Sequence, residues 1–210
     1  MVIGGIVPLS FQDFPGRPAI VVFTRGCNMR CPWCHNPGLV DPARYVPPVP
    51  VEEVLGLLAR RRKFVGAVVV SGGEPTLHTD LGGFLQEVRR LGYAVKLDTN
   101  GTFPEVLEEL LATKLIDAVA VDFKLPLERY GELGWAGKPG LVAQSLRTAL
   151  AVPRGVVRTT VVPGVHTAEV LGKMEVQLRQ AGFGGGTKWV LQPFRAGSCL
   201  DERWASAACQ

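Results

Sequence analysis

The fold is decided by residues 19–37, which read AIVVFTRGCNMRCPWCHNP. The first six residues form an apolar, β-branched run that predicts a buried strand. Directly after it, Cys27, Cys31 and Cys34 form a C-x3-C-x2-C pattern, and His35 follows the last cysteine. The chain has five cysteines in all, so three thiols this close together predict a metal or redox site at the end of a strand.

Similar apolar runs recur along the chain, separated by segments with a helical pattern. We predict six strands: Ala19–Thr24, Ala67–Ser71, Ala94–Asp98, Ala118–Asp122, Val156–Val162 and Lys188–Gln192. We predict five helices between them: Val51–Arg62, a helix capped by Thr79 or Asp80 and running to Leu91, Pro104–Thr113, Leu141–Ala151 and Thr167–Ala181. This alternation predicts a single-domain α/β fold, a partial (β/α)6 TIM-like barrel with a parallel sheet. The domain is expected to span residues 1–210, with its core at 17–195 and a C-terminal tail at 196–210.

The composition is that of an ordinary globular protein. Hydrophobic residues make up 47% and charged residues 20% of the chain, and the formal net charge of +4 is spread along it. The densest basic run, Arg60–Lys63, closes a predicted helix, where cations favour the negative end of the helix dipole, so a nucleic-acid partner is not expected. No apolar run approaches the ~18 residues that cross a membrane, and the N-terminus lacks a signal-peptide pattern. We therefore expect a cytoplasmic, thiol-reducing setting and no membrane association.

Unusual polar residues follow one predicted strand after another. They are Arg25–Cys27, Ser71–Thr76 (SGGEPT), Asp98–Gly101 (DTNG), Asp122–Lys124 (DFK), Arg158 with Pro163 and Gly164, and Gln192–Arg195 (QPFR). In a parallel barrel the carboxyl ends of all strands lie at one mouth, which is where such folds place their active sites. The pattern therefore predicts a single active site.

The three clustered cysteines favour an iron–sulfur cluster over a zinc ion. A structural zinc site normally takes four protein ligands, and the further candidates are His35, Cys199 and Cys209. His35 adjoins a cysteine, and neighbouring residues rarely turn their side chains to one centre; the other two have a spacing that matches no zinc pattern. Thiolates are the normal ligands of a cuboidal cluster, and three of them leave one iron with an open position. The spacing alone leaves zinc as the alternative.

The segment Gly72–Glu74 and two strand-end aspartates point to a charged ligand. The two glycines would let backbone groups approach a ligand because no Cβ stands in the way, although a tight turn would also use them. The glutamate could accept hydrogen bonds from an ammonium group. Asp98 and Asp122 stand at adjacent strand ends, with Lys124 two residues after the second. This arrangement is more typical of a charged ligand or a cation site than of helix caps.

Together these motifs resemble the radical S-adenosylmethionine superfamily. The cysteine pattern at the first strand end, with Trp33 just before the third cysteine, and GGEP at the second strand end carry the resemblance. The segments SFQDFPGRPAIVVFTRGCNMRCPWCHNP, SGGEPT, LDTNG, DFK and RTTVVPG, in this order, are similar to the glycyl-radical-enzyme activating enzymes. The chain length and the CHNP context most resemble the anaerobic ribonucleoside-triphosphate reductase activating proteins. The resemblance covers residues 10–195.

The resemblance implies a ligand set. Cys27, Cys31 and Cys34 would ligate a [4Fe-4S] cluster whose fourth iron chelates the amino and carboxylate groups of S-adenosylmethionine. The residues expected to contact S-adenosylmethionine or a monovalent cation beside it are Gly72, Gly73, Glu74, Asp98, Thr99, Asp122, Lys124, Arg158 and Trp33. The glycines and the glutamate would hold the methionine ammonium, and the aspartates and the threonine would hold the cation. The lysine and the arginine would contact the carboxylate and the ribose, and Trp33 and His35 would lie close to the cluster or the adenine.

The implied reaction is reductive cleavage of S-adenosylmethionine to a 5′-deoxyadenosyl radical, which takes a hydrogen atom from a glycine of a partner protein. No side chain needs to act as an acid or a base, because the cofactor carries the difficult step. The implied partners are a glycyl-radical enzyme of the anaerobic ribonucleotide reductase type and a one-electron donor such as flavodoxin or ferredoxin.

Two alternatives and one departure from the activase pattern stand beside this interpretation. The first alternative is a radical S-adenosylmethionine enzyme that acts on a small molecule, similar to the compact 7-carboxy-7-deazaguanine synthases. The second is a zinc-binding interaction module without catalysis. Related activases often carry a histidine after the sixth strand, where this chain reads Gln192–Arg195, and Phe194 is expected to stack in its place.

Overall fold

The computed structural model describes residues 1–186 and 188–204, so Cys209 and the end of the predicted tail lie outside the described residues. The strands are β1 (Ile3–Ser10), β2 (Ala19–Thr24), β3 (Ala67–Gly72), β4 (Ala94–Thr99), β5 (Ala118–Asp122), β6 (Gly155–Val161) and β7 (Trp189–Pro193). The α-helices are α1 (Pro37–Val40), α2 (Val51–Arg61), α3 (Leu81–Arg90), α4 (Pro104–Ala112), α5 (Pro139–Ala151) and α6 (Ala168–Gln180). Short 3-10 helices cover Pro42–Arg44, Pro75–Leu77, Leu127–Leu133 and Glu202–Trp204.

The predicted α/β class with a mostly parallel sheet is confirmed. The six predicted strands and five predicted helices are all present, and their ends differ from the predicted ends by two residues at most. The strands follow one another in the sheet in chain order, β1 to β7. Two helix ends lie at the residues that were expected to mark them. The helix α4 begins at Pro104, and Gly92, with φ at +86°, follows the end of α3.

The strand β1 was not predicted from the sequence. It runs antiparallel to β2, with Ile3 opposite Thr24 and Ser10 opposite Ala19, and its register shifts twice along the way. Its sequence, IGGIVPLS, holds two glycines and a proline, which are rare in the interior of a strand. A strand at the edge of a sheet tolerates a proline because one side of its backbone needs no partner strand.

The chain divides into two compact units. The first comprises residues 1–27, 38–99 and 105–119. In this unit β2 pairs in parallel with β3, and Thr24 lies opposite Gly72 at their carboxyl ends; β3 pairs in the same way with β4. Phe14 belongs to a buried hydrophobic cluster with alanines and valines of these strands and of β5, which are Ala19, Val21, Ala67, Val69, Ala94 and Ala118. Burying a phenylalanine side chain stabilises a fold by about 1.5–3 kcal/mol, so Phe14 is a substantial anchor of this cluster.

The second unit comprises residues 28–37, 100–104 and 120–210, of which the structure describes all but 187 and 205–210. Here β6 pairs in parallel with β7, from Val157 opposite Trp189 to Val161 opposite Pro193. The hydroxyl of Thr159 on β6 donates to the carbonyl oxygen of Phe123 at 2.7 Å and accepts the indole N–H of Trp189 at 3.0 Å. This buried hydroxyl therefore ties three segments of the unit together.

No helix in the described part of the chain has the length and apolar character to cross a membrane.

Candidate cluster and cofactor site

The segment that leads into the first cysteine is fixed through its backbone. The N–H of Arg25 donates to the carbonyl oxygen of Val2 at 2.9 Å, and the N–H of Gly26 donates to that of Leu39 at 2.7 Å. The Arg25 guanidinium lies over the Tyr45 ring, 4.7 Å from its centroid. Gly26 has φ at +93°, a conformation that favours glycine, and it turns the chain out of β2 just before the partly buried Cys27.

The Gly72-Gly73 pair packs directly against this segment. The N–H of Gly73 donates to the carbonyl oxygen of Thr24 at 2.9 Å, and the N–H of Glu74 donates to that of Gly26 at 2.8 Å. A Cβ on Gly73 would stand 2.0 Å from the Gly26 oxygen, and one on Gly72 would stand 2.4 Å from the Thr24 nitrogen. The structure thus gives a reason for both glycines that is independent of any ligand: they let the end of β3 meet the backbone that precedes Cys27.

Glu74 is buried and oriented by hydroxyl and amide donors. Its Oε1 accepts the Thr76 N–H at 3.1 Å, the Thr76 hydroxyl at 2.5 Å and the Thr99 hydroxyl at 2.7 Å. Its residue exposure is 0%. Three donors to one oxygen fix the orientation of this carboxyl group at the start of the Pro75–Leu77 turn. The role predicted for Glu74 toward a ligand ammonium stays a prediction.

Asp98, expected to hold a cation, forms an ion pair within its own strand. The Lys96 ammonium lies 2.6 Å from Asp98 Oδ1, and both side chains are less than 10% exposed. Residues two apart in a strand share a face, which is why this pair can form. Thr99, the next residue, points to the opposite face and donates to Glu74. One oxygen of Asp98 therefore has the chain's own ammonium as a partner, and the role predicted for Asp98 toward a cation stays a prediction.

In the second unit, the remainder of the cysteine loop is tied to the segment that follows β4. The Asn28 amide donates to the Thr102 hydroxyl at 2.8 Å, and the Asn100 amide donates to Asn28 Oδ1 at 2.8 Å. The N–H of Arg30 donates to the carbonyl oxygen of Leu133 at 2.6 Å. These contacts fix the three residues between the first and second cysteines. Asn28 was not among the predicted site residues, although a side-chain amide between two clustered cysteines is a signal that could have identified it.

The C-terminal segment 195–204 lies against the later part of the loop. The N–H of Leu200 donates to the carbonyl oxygen of Cys34 at 3.1 Å, and that of Asp201 donates to the carbonyl oxygen of Pro32 at 2.9 Å. Cys199 is 2% exposed. Burial raises the pKa of its thiol, and the neighbouring Cys34 adds to that increase. Cys199, which had no predicted role, is thus a neighbour of the cysteine loop.

Four aromatic rings extend this contact. His35 stacks on Phe194 with the ring centroids 5.0 Å apart, and its Nε2 lies 2.7 Å from the Arg195 carbonyl oxygen. Trp204 meets both Phe194 and Trp33 edge to face, at 6.3 and 6.1 Å. Phe194 was expected to stack in place of a missing histidine; in this structure the ring it stacks on is His35. A role of Trp33 or His35 toward a cofactor stays a prediction.

Asp122 is held by two cationic side chains. Its Oδ1 accepts from Arg158 Nε at 2.8 Å, and its Oδ2 accepts from Lys124 Nζ at 3.0 Å. Burial acts to raise the pKa of Asp122, but the Arg158 guanidinium and the Lys124 ammonium outweigh it and hold that pKa well below its usual range. These three predicted residues therefore come together, with the carboxylate orienting both cations.

His166 was missed by sequence analysis and orients the same segment. Its Nδ1 accepts the Val162 N–H at 3.0 Å, and its Nε2 lies 2.8 Å from the Lys124 carbonyl oxygen. Since Nδ1 is an acceptor, the neutral ring carries its proton on Nε2 and donates it to that carbonyl. Burial lowers the pKa of His166 despite the two backbone hydrogen bonds, which keeps the ring neutral. The edge of the Trp33 indole also meets this ring, with the centroids 5.9 Å apart.

The donor chemistry of the loop suits an iron–sulfur cluster. None of the described cysteines, Cys27, Cys31, Cys34 and Cys199, forms a disulfide bond. Within residues 1–186 and 188–204, no three histidine, cysteine, aspartate or glutamate side chains are arranged to hold one metal ion. Cysteine thiolates are the normal ligands of such a cluster.

Comparison with known proteins gives the family. The profile of the Radical SAM superfamily matches residues 21–175. The chain is 44% identical over 131 residues to a protein of Methanocaldococcus jannaschii named "Putative glycyl-radical enzyme activating enzyme MJ1227", a match that covers 62% of this chain and 53% of that protein. It is 37% identical over 90 residues to the 7-carboxy-7-deazaguanine synthase of Rhodospirillum rubrum, covering 42% of this chain and 36% of that one. The chain thus spans between about a third and about half of the length of these curated relatives.

The fold is also that of solved structures. Streptococcus suis SuiB, crystallised with S-adenosylmethionine, superposes with a TM-score of 0.62 at 16% sequence identity, covering 85% of this chain and 41% of that one. At such low identity the likeness shows the fold alone, but the profile match extends over most of the chain and includes the three cysteines and the GGEP motif. The chain therefore belongs to the radical SAM superfamily.

Proposed function

We propose that this protein is a glycyl-radical-enzyme activating enzyme, which uses a [4Fe-4S] cluster and S-adenosylmethionine to generate a glycyl radical on a partner enzyme. The observation that carries the proposal is the 44% identity over 131 residues with a relative named for that activity. The order of LDTNG and DFK after the cysteine loop supports the same assignment. The partner proposed is a glycyl-radical enzyme of the anaerobic ribonucleotide reductase type, with a one-electron donor such as flavodoxin or ferredoxin.

In this proposal Cys27, Cys31 and Cys34 hold the cluster, and one iron stays open for the amino and carboxylate groups of S-adenosylmethionine. When bound, the reduced cluster and S-adenosylmethionine supply an organic radical that can take a hydrogen atom from a carbon. The protein contributes position rather than acid–base chemistry. Hydrogen bonds of the Gly26 backbone and of the Asn28 side chain hold the cysteine loop in place. Less conformational entropy is therefore lost when the three thiols bind the cluster.

The cationic pair of the second unit is proposed to bind the anionic part of S-adenosylmethionine. Lys124 and Arg158 both donate to Asp122, so neither side chain has to be ordered from a mobile state when the ligand arrives. A guanidinium is suited to carboxylate recognition because its donors form a planar fork. His166 supports this arrangement by holding the Lys124 carbonyl group.

A second candidate function is the conversion of a small molecule. The 37% identity over 90 residues with a 7-carboxy-7-deazaguanine synthase favours it. Both candidates share the cluster and S-adenosylmethionine and differ in what the radical attacks. The two candidate functions can be distinguished by the substrate from which the radical takes a hydrogen atom.

The test is anaerobic reconstitution with iron and sulfide, reduction with dithionite, and addition of S-adenosylmethionine. We expect 5′-deoxyadenosine from the wild type and from Cys199→Ala, and none from Cys31→Ala. Each variant removes one buried thiol, but only Cys31 belongs to the C-x3-C-x2-C pattern. Comparing them distinguishes the loss of a cluster ligand from the loss of a buried cysteine in general. Iron and sulfide content is measured in parallel, and zinc in place of iron would refute the proposal.

The glycyl assignment needs a second step. The reaction is repeated with an anaerobic ribonucleotide reductase, and electron paramagnetic resonance is used to look for a glycyl radical doublet. Formation of the doublet by the wild type but not by Cys31→Ala would support the activase. Production of 7-carboxy-7-deazaguanine without a protein radical would favour the second candidate.

A further inference from the structure

A buried ammonium lies beside Asp98, one of the carboxylates for which the resemblance predicts a cation. Lys96 Nζ is 2.6 Å from Asp98 Oδ1, and the two side chains are 8% and 6% exposed. Asp98 belongs to the LDTNG segment, whose aspartate and threonine were expected to bind a monovalent ion. The chain itself therefore places a positive charge at this carboxylate.

The strand geometry makes this contact specific rather than incidental. Lys96 lies between Ala94 and Asp98 on one face of β4 and opposite Val69 of β3. Ala94 and Val69 belong to the same buried hydrophobic cluster as Phe14. An ammonium buried among apolar side chains destabilises the fold unless a carboxylate pairs with it, so burial favours the Lys96–Asp98 ion pair.

The other predicted cation ligands are also engaged by groups of the chain. Asp122 accepts from Lys124 at 3.0 Å and from Arg158 at 2.8 Å. The Thr99 hydroxyl donates a hydrogen bond to Glu74 Oε1 at 2.7 Å. Asp98 and Asp122 are thus each paired with at least one cationic side chain of the protein.

We propose that the Lys96 ammonium takes the place of a monovalent metal cation at Asp98, so that this protein binds S-adenosylmethionine without added Na⁺ or K⁺. An ammonium carries the same charge as K⁺ and has a similar size, and a tethered ammonium is not lost at low salt. The inference rests on the proposed function only in that S-adenosylmethionine must bind; it does not depend on the protein partner.

The experiment measures binding of S-adenosylmethionine to the reconstituted, reduced protein, through the change it causes in the electron paramagnetic resonance spectrum of the cluster. The chlorides of K⁺, Na⁺, NH₄⁺ and choline are compared at one ionic strength. We expect the wild-type dissociation constant to be the same in all four salts. In Lys96→Ala, affinity in choline chloride should fall about tenfold, and K⁺ or NH₄⁺ should restore it because the vacated space admits a small cation.

The wild type alone can overturn the proposal, so the test survives if the variant fails to fold. A wild-type requirement for K⁺ or Na⁺ would show that a metal ion binds in addition to Lys96. A folded Lys96→Ala that binds equally well in choline and in K⁺ would show that no cation is needed there, which also refutes it. Cluster formation without S-adenosylmethionine binding in any salt would refute this inference and the proposed function together. Salt-independent binding without any glycyl radical would leave the inference standing and refute the activase assignment alone.

Discussion

The carbonyl oxygen of Gly26 would lie 2.0 Å from a Cβ on Gly73, a separation at which no side chain fits. The same oxygen accepts the Glu74 N–H at 2.8 Å. The end of β3 and the residue before the first cysteine are therefore in backbone contact. This contact links the GGEP motif to the cysteine loop mechanically, whatever ligand either of them binds.

Gly73→Ala should disrupt this contact. Because the clash is with backbone rather than with a flexible side chain, we expect a loss of about 2–4 kcal/mol in the free energy of unfolding. Iron content after reconstitution should fall as well. Both are measured on the purified variant, by urea unfolding and by iron analysis.

The control for this variant is Gly83→Ala. Gly83 lies within α3, and a Cβ there would meet nothing within 4 Å. A glycine-to-alanine change inside a helix should stabilise the protein by about 0.5–1 kcal/mol. If Gly73→Ala were as stable as this control, the packing of the GGEP backbone described above would be wrong.

Asn28→Ala should loosen the cysteine loop. The change leaves Thr102 and Asn100 without the side-chain partner that each has in Asn28, and we expect a loss of about 1–3 kcal/mol in the free energy of unfolding. Cluster iron should be released faster to a chelator. Asn36→Ala is the matched control, since Asn36 is exposed in the same loop. Equal rates of iron release from the two variants would show that Asn28 does not fix the loop.

Much of this structure could be predicted from local sequence. The strands β2 to β7 are short apolar runs, and the helices between them carry recognisable boundary residues such as Pro104 and Gly92. The strand β1 could not be predicted because Gly4, Gly5 and Pro8 interrupt its pattern, and its stability comes from pairing with β2. Such pairing lies in tertiary structure, which overrides local propensity.

In the candidate site, too, local sequence identified some residues and missed those whose contacts depend on tertiary structure. Residues at strand ends were identified because polar side chains there stand out against apolar runs. His166 was missed because its partner Lys124 is 42 residues away, and no local pattern reports such a contact. Lys96 was treated as an ordinary strand residue, although its spacing of two from Asp98 puts both on one face and could have predicted the ion pair.

Removal of residues 196–210 should make the cluster more sensitive to oxygen. The segment contributes Leu200 and Asp201, whose N–H groups donate to the cysteine loop, and Trp204, whose ring meets that of Trp33 edge to face. Without it, the loop near Cys34 becomes more accessible to solvent. We expect the visible absorption of the cluster to decay several-fold faster in air. Removal of residues 205–210 alone is the control and should leave the decay unchanged, and equal decay in both truncated proteins would refute a protective role of the segment at 196–204.

Asp122→Asn should change the dependence of stability on pH. The Asp122 pKa is held well below its usual range in the folded protein, so the unfolded chain takes up a proton first as the pH falls. The stability that the carboxylate contributes is therefore fully present above the unfolded pKa of about 3.9 and is lost as the pH decreases below it. We expect the difference in free energy of unfolding between wild type and variant to be constant from about pH 6 to 8 and to shrink below about pH 4. Urea unfolding across this range measures it, and a difference that grows toward acid pH would contradict the ion pairs of Asp122 with Arg158 and Lys124.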